Sequence, residues 1–408
     1  MFKENRFDIS KEQRQILIGA FILMALGMGI IGNCASLFIR PISLDIACSR
    51  RAISNTVAIR NLTTVFISFI VGKTLQKYDL KKVLMLASLL MSIMFFAQSF
   101  AKKLYQFYII SFLISVFYTF TTAIPVSILI TNWFSKNTGT ALGIASMGSG
   151  LGGVLFTSLT GIWIDAFGWR IANRILAIIM ILVILPSVKF FIKTRPKTAE
   201  NISKANEEII ESGLSISRTY KYHWFWIIAI ANVLLSFSTY SIFFTIPAHI
   251  GDLSYSNSLA ANVTAMMMAV LAISKLLLGR IYDKFGMRLT VIFPTVCGFI
   301  SSAFIMSKTT TLFIIIAAFF NGIVAAFFSV SLQVLISDFF GSKDYGQKLS
   351  IASGLTNIGT VLAPTLSGWY HDLNSSYFGF YKYTTIISIL VIIIYVLGFR
   401  HQSKKAPF

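Results

Sequence analysis

The chain is 408 residues long, 56% hydrophobic and only 12% charged, with a mean hydropathy of +0.76. Soluble proteins carry roughly 25% charged residues, so these proportions exclude a soluble globular domain and define an integral membrane protein. The net charge of +20 would suit a nucleic-acid binder, but the cations fall in short loops between apolar runs, where the positive-inside rule puts them. Nucleic acid is therefore not expected as a partner.

The chain opens on Lys3, Arg6, Lys11 and Arg14 and passes straight into an apolar run of spanning length. No cleavable signal pattern is read there, and the first helix is expected to be retained. Crossing ~30 Å of hydrocarbon takes about 20 apolar residues. Twelve runs meet that length, at roughly 15–39, 53–74, 83–101, 105–131, 139–164, 172–192, 223–248, 259–282, 289–307, 311–337, 346–370 and 379–399. An even number puts both termini on one side. The segments assigned to that side hold 24 of the 35 Lys and Arg, against 9 opposite and 2 within spans. Both termini are thus expected to be cytoplasmic, with the protein in the cell (inner or plasma) membrane.

The stretch Thr194–Tyr222 carries Pro196, Glu200, Glu207, Glu208 and Glu211 and has no apolar core. It reads as a cytoplasmic linker, residues 194–222, between six-helix bundles at 1–193 and 223–408. The two halves look alike at an offset of 207 residues: Gly72 with Gly279, Gly139 with Gly346, Gly152 with Gly359, Gly161 with Gly368 and Asp165 with Asp372. Ile144-Ala145-Ser146 recurs as Ile351-Ala352-Ser353, and Leu129–Phe134 as Leu335–Phe340 after a one-residue slip. The predicted fold is all-α: twelve transmembrane helices in two pseudo-symmetric bundles. Parallel repeats of this kind are the plan of a rocking transporter with its site at the repeat interface.

Lys275 stands alone in an apolar run, about seven residues from the nearer end of its span. A charge inside hydrocarbon costs at least ~2.5–3.5 kcal/mol, so such a side chain normally faces protein or a wet cavity. The competing reading is snorkelling, with the stem in lipid and the ammonium at the headgroups. Arg60 in helix two has the same two readings, or a third in which it pairs with helix eleven in a closed state. Arg40, beside Pro41 at the end of helix one, is either a further substrate cation or a solvated loop residue. No acid lies deep in any span, which favours an anionic cargo over a cation. Asn33, Tyr118 (with Thr121), Tyr240 and Phe327 are candidate donors and aromatic wall. The glycines of helix five, Gly139 to Gly161, suggest close helix packing, expected against helix eight. Cys34, Cys48 and Cys297 form no metal or disulfide pattern, and the four histidines lie at span ends or outside. No cofactor, metal or enzyme chemistry is indicated.

The run Gly279-Arg-Ile-Tyr-Asp283-Lys284-Phe-Gly286-Met-Arg288 resembles the loop signature of the major facilitator superfamily, found between helices two and three and again between eight and nine. The resemblance implies a cytoplasmic latch at Gly279, Asp283, Lys284, Gly286 and Arg288. The first-half copy runs from Gly72 through Gln76, Lys77 and Asp79 to Lys82. It has Gln76 where the acid belongs and Asp79 where the glycine does, so Gly72 and Lys77 make a weaker latch. Three stretches further resemble the oxalate:formate antiporter and monocarboxylate transporter branch: Phe38-Ile-Arg-Pro41 through Ser49–Ser54, Asn132–Ser135 through Ala145 with the glycines beyond, and Lys275. That branch carries a substrate-binding arginine four residues before the glycine and eight before the acid, where Lys275 stands. Leu271 replaces the aspartate of the proton symporters, and span 349–370 lacks the exchanger's lysine. The resemblance implies secondary active transport of a small monocarboxylate or short dicarboxylate, with a proton or counter-anion as possible second partner and the protein a monomer. An exporter of amphipathic compounds and a non-transporting carboxylate sensor are the alternatives.

Overall fold

The computed structural model describes residues 9–134, 136–193, 214–255, 257–307 and 310–404, and among them the structure is helical with no β-strand. Most of the linker, 194–213, lies outside the described residues. Helix α1, Lys11–Leu23, starts on a capping box in which the Ser10 hydroxyl accepts from the Gln13 amide and the Gln13 side chain accepts from the Ser10 amide. It continues as a π-helical run, Met24–Asn33, into α2, Ala35–Asp45. Then follow α3 (Arg50–Lys77), α4 (Leu80–Gln98), α5 (Leu104–Thr119), α6 (Ala123–Trp133) and α7 (Thr138–Phe191). After the short α8 (Ile216–Lys221) come α9 (His223–Asp252), α10 (Asn257–Ser307), α11 (Thr311–Ala325), α12 (Ser331–Phe340), α13 (Tyr345–Asn374) and α14 (Phe378–Lys404).

Ten stretches among the described residues are long and apolar enough to cross a membrane. Two of them, Thr138–Phe191 and Asn262–Ser307, have 54 and 46 residues. At 1.5 Å per residue that is roughly 80 and 70 Å, far more than ~30 Å of hydrocarbon. Each is bent by one glycine in the left-handed region, Gly168 (φ +79°) and Gly286 (φ +77°), so each is a pair of crossings and the total is twelve. A residue with a Cβ would cost roughly 1–2 kcal/mol there. The two corners share a pattern that the repeat comparison missed: Asp165-Ala-Phe-Gly168-Trp-Arg170 and Asp283-Lys-Phe-Gly286-Met-Arg288.

The chain forms two compact units. One comprises Met1–Thr63 and Lys73–Asn206, the other Thr64–Gly72 and Glu207–Phe408. The stretch Thr64–Gly72 of α3 clusters with the second unit because small residues meet it there. A Cβ at Gly72 would strike the Gly346 carbonyl and the Ser350 hydroxyl, and the Phe69 ring lies 3.0 Å from a Cβ placed at Gly354.

Inside each unit the matched glycines do the same job. A Cβ at Gly152 would strike the Ala25 carbonyl in span one, and one at Gly359 would strike the Val233 carbonyl in α9, the first span of the second unit. Gly148 closes likewise on the Phe21 carbonyl, and Gly153 on the Asn33 side chain. The close approach made by these three helix-five glycines is to helix one.

One end of the first unit is tied by Arg170. Its guanidinium pairs with Asp45 at 2.7 Å, donates to the Ser99 and Ala101 carbonyls, and lies over the Trp169 ring. Arg174 adds a bond to the Ser99 hydroxyl and covers Phe100. These contacts fasten the ends of α2 and α4 to the Gly168 corner.

Candidate functional site

In the second unit, α10 carries Lys275. Its side chain is only 3% exposed, while Ile273 and Leu277 on the other side of the helix are 58% and 48% exposed. Lys275 shares its buried face with Ala272, Ser274 and Leu278. A snorkelling lysine would leave its ammonium on the surface, so the burial is inconsistent with that reading.

Tyr240 on α9 is half-buried and stacks on Phe244, and its ring centroid is 5.7 Å from that of Phe328. Phe327 is fully buried, packed on Tyr395, whose hydroxyl donates to Asn232. The 3-10 turn Ala326–Ser329 turns adjacent side chains apart, so Phe328 is the aromatic neighbour of Tyr240. Nothing in the sequence marked that turn.

The latch signature occupies the end of α10. Gly279 is buried one turn beyond Lys275, and Asp283, Lys284 and Arg288 are exposed around the Gly286 corner. The Lys284 ammonium lies 5.1 Å from the Phe285 ring centre. A firmer tie was missed. Tyr282 donates its hydroxyl to both carboxylate oxygens of Asp338 on α12, at 2.8 and 2.9 Å. The corresponding first-half positions are Leu75 and Asn132, which cannot make it.

The first-half turn is built differently. Lys77 is exposed, with its ammonium 5.5 Å from the Tyr78 ring centre. Asp79 caps α4, its carboxylate accepting from the Lys82 amide at 2.9 Å. An acid in the glycine's place thus replaces a left-handed corner with a capped helix start.

Lys348 is the nearest thing to a lysine on helix eleven, since α13 begins at Tyr345. It is fully buried and donates to the carbonyls of Phe340, Gly341 and Leu214 at 2.7, 2.8 and 3.2 Å. It serves there as a cap on the end of α12.

In the first unit the π-helical run gathers three of the predicted residues. Arg60 donates through Nη1 to the Ile31 carbonyl at 2.8 Å. Asn33 donates to the Ser149 carbonyl at 3.1 Å. The Tyr118 hydroxyl lies 3.8 Å from a Cβ placed at Gly32. Arg40 is exposed and is not part of this group. Among the described residues no three His, Cys, Asp or Glu side chains are grouped to hold a metal.

The profile of the Major Facilitator Superfamily matches residues 16–307 and 228–407, and the chain belongs to that family. The "Uncharacterized MFS-type transporter YcxA" of Bacillus subtilis (strain 168) is 26% identical over 287 residues, 67% of this chain and 66% of its own length. The "MFS-type transporter pynF" of Aspergillus niger is 27% identical over 261 residues, covering 62% of this chain and 57% of the relative. The chain thus spans between a half and two thirds of these relatives. The fold is similar to that of the proton:xylose symporter XylE, with a TM-score of 0.69 at 13% identity over 93% of this chain and 94% of that one. It is also similar to the Escherichia coli fucose:proton symporter FucP, with a TM-score of 0.67 at 14% identity over 94% and 97% of the two chains. At these identities the likeness speaks to the fold alone.

Proposed function

We propose that the protein is a secondary active transporter of a small organic anion, a monocarboxylate or short dicarboxylate, working by alternating access. Membership of a family whose relatives are named transporters supports the activity. The burial of Lys275, at 3% exposure inside a membrane-spanning helix, carries the anionic reading. A charge held inside a membrane-spanning helix faces protein or a wet cavity, and there an anionic cargo would meet a cation of complementary sign. Lys275 is the principal binding cation. Arg60, Asn33 and Tyr118 are auxiliary polar groups, Tyr240 with Phe328 forms aromatic wall, and the Gly279–Arg288 latch holds one conformation. The branch resembling oxalate:formate antiporters and monocarboxylate transporters belongs to the same reading, as do cytoplasmic termini in the cell membrane and a proton or counter-anion as second partner.

The test is uptake of labelled lactate, pyruvate, formate and oxalate into proteoliposomes. Lys275→Gln is expected to lower uptake at least tenfold, and Lys275→Arg, which keeps the charge and adds a bidentate fork, to retain it. Equal uptake by wild type and Lys275→Gln overturns the assignment.

A further inference from the structure

Two histidines and one acid meet at the end of the second unit where α9 turns into α10. His249, in the last turn of α9, is 3% exposed, and its Nε2 has no hydrogen-bond partner among the described residues. Buried polar atoms are nearly always partnered, so an orphan calls for a role. Asp252 follows one turn further along the same face, and its charge acts on the His249 ring. That carboxylate holds His371 of α13, with Nε2 and Oδ2 3.1 Å apart. Tyr377 lies against both rings, its centroid 4.4 Å from that of His371 and 6.4 Å from that of His249. Tyr381 on α14 meets His249 edge-on at 5.3 Å, and its hydroxyl shares a hydrogen bond with Thr245 at 3.0 Å. The side chains of Asp252 and His371 are 38% and 29% exposed, so the set runs from water inward to His249.

We propose that His249, Asp252 and His371 form one proton-binding site, in which a proton taken from water at His371 is shared through the Asp252 carboxylate with His249. The proton leaves Nε2 of His371 for the carboxylate, which turns on its exposed side chain and delivers it to Nε2 of His249; each donor returns to its former charge, and no other reactant is needed. Both rings lie in the last turn of their helices, where the terminal carbonyls favour a positive charge. The titratable and charged groups around His249 are Asp252 on its own helix, His371 on α13 with Asp372, whose charge reaches Tyr377, and the two tyrosines Tyr377 and Tyr381. From α10 and α11 the core that holds Tyr381 receives Val263, Met267, Ile305 and Ile314. The Asp252–His371 bond joins α9 to α13, so the proton's position sets whether that tie is an ion pair. The site rests on the function proposed above only in its use, as the seat of a co-transported proton.

The chain has 4 histidines, few enough for ring nitrogen-15 NMR on the purified full chain in detergent, each signal assigned by its loss in a His→Gln variant. His249 and His371 are expected to pass from neutral to protonated between about pH 8 and pH 5. His371→Gln is expected to displace the His249 midpoint by about half a pH unit or more, and Asp252→Asn to displace both midpoints. His223, at the opposite end of α9, is expected to stay in place. Melting temperatures report whether each variant is folded. The proposal is overturned if His249 stays neutral across that range, or if folded Asp252→Asn leaves both midpoints where they were. This titration needs no cargo, so it holds or fails apart from the transport reading. The use of the site is read in proteoliposomes: His249→Gln is expected to lower lactate uptake driven by a proton gradient at least tenfold while keeping lactate exchange without one. Equal gradient-driven uptake by wild type and His249→Gln overturns that use.

Discussion

Two glycines of the loop signature show how one residue type answers to different physics. Gly286 has φ +77° and open space where a Cβ would go, so Gly286→Ala is expected to cost about 1–2 kcal/mol from backbone strain alone. Gly72 is helical and pressed on the Gly346 carbonyl and Ser350. There Gly72→Ala must push backbone away from backbone, and a loss of about 3 kcal/mol or more is expected, at or above the usual range for overpacking. Thermal unfolding of the two variants in the same detergent checks the order; a smaller effect at Gly72 contradicts it. Gly72 was singled out by its repeat partner Gly279 and Gly286 by the loop signature, but neither pattern showed the physical reason. The inward face of Lys275 followed from the cost of a charge in hydrocarbon. Phe327 and Phe328 could not be told apart, because one 3-10 turn decides which ring is core.

Among the elements, the ends of the helices hold most of what sequence spacing hid. The Tyr282–Asp338 bond joins α10 to α12 across 56 positions, and no local pattern announces such a pair. The bond is exposed and made to a charged acceptor, so Tyr282→Phe is expected to lose about 1 kcal/mol of stability. Asp338→Asn should add little more in the double variant, because each substitution already breaks the bond. Additive losses would show that the two residues act separately. In the first half, Leu75 and Asn132 at the matching positions lack the hydroxyl and the charge, and Asp79 turns the corner by capping. The degraded signature is thus a different construction with the same path.

Over the whole molecule, hydropathy was enough to find twelve crossings, because a lipid solvent demands one long apolar run per crossing. It could not say that two pairs would run on as single bent rods, since that depends on single glycines. Orientation rests on the loop cations, and Cys48 gives it a direct check. Cys48 lies outside the apolar spans between α2 and α3 and is part-exposed, whereas Cys34 and Cys297 are buried. An impermeant maleimide is expected to label Cys48 alone in intact cells. Burial pushes this thiol above its ordinary value of 9.0, so its thiolate fraction is small at neutral pH. Labelling should keep quickening as the pH rises through and beyond 9. Reaction only in inverted vesicles would reverse the assigned sides.

The ten residues Met24–Asn33 are wound more widely than their neighbours, with hydrogen bonds reaching five residues in place of four. If that stretch tightens to an ordinary coil, everything after it swivels about its axis, carrying Phe38 and Ile42 with it. The Arg60 guanidinium reaches across from the second crossing to grip Ile31. The pitch of the first crossing and the seat of that cation are therefore geared to each other through one side chain.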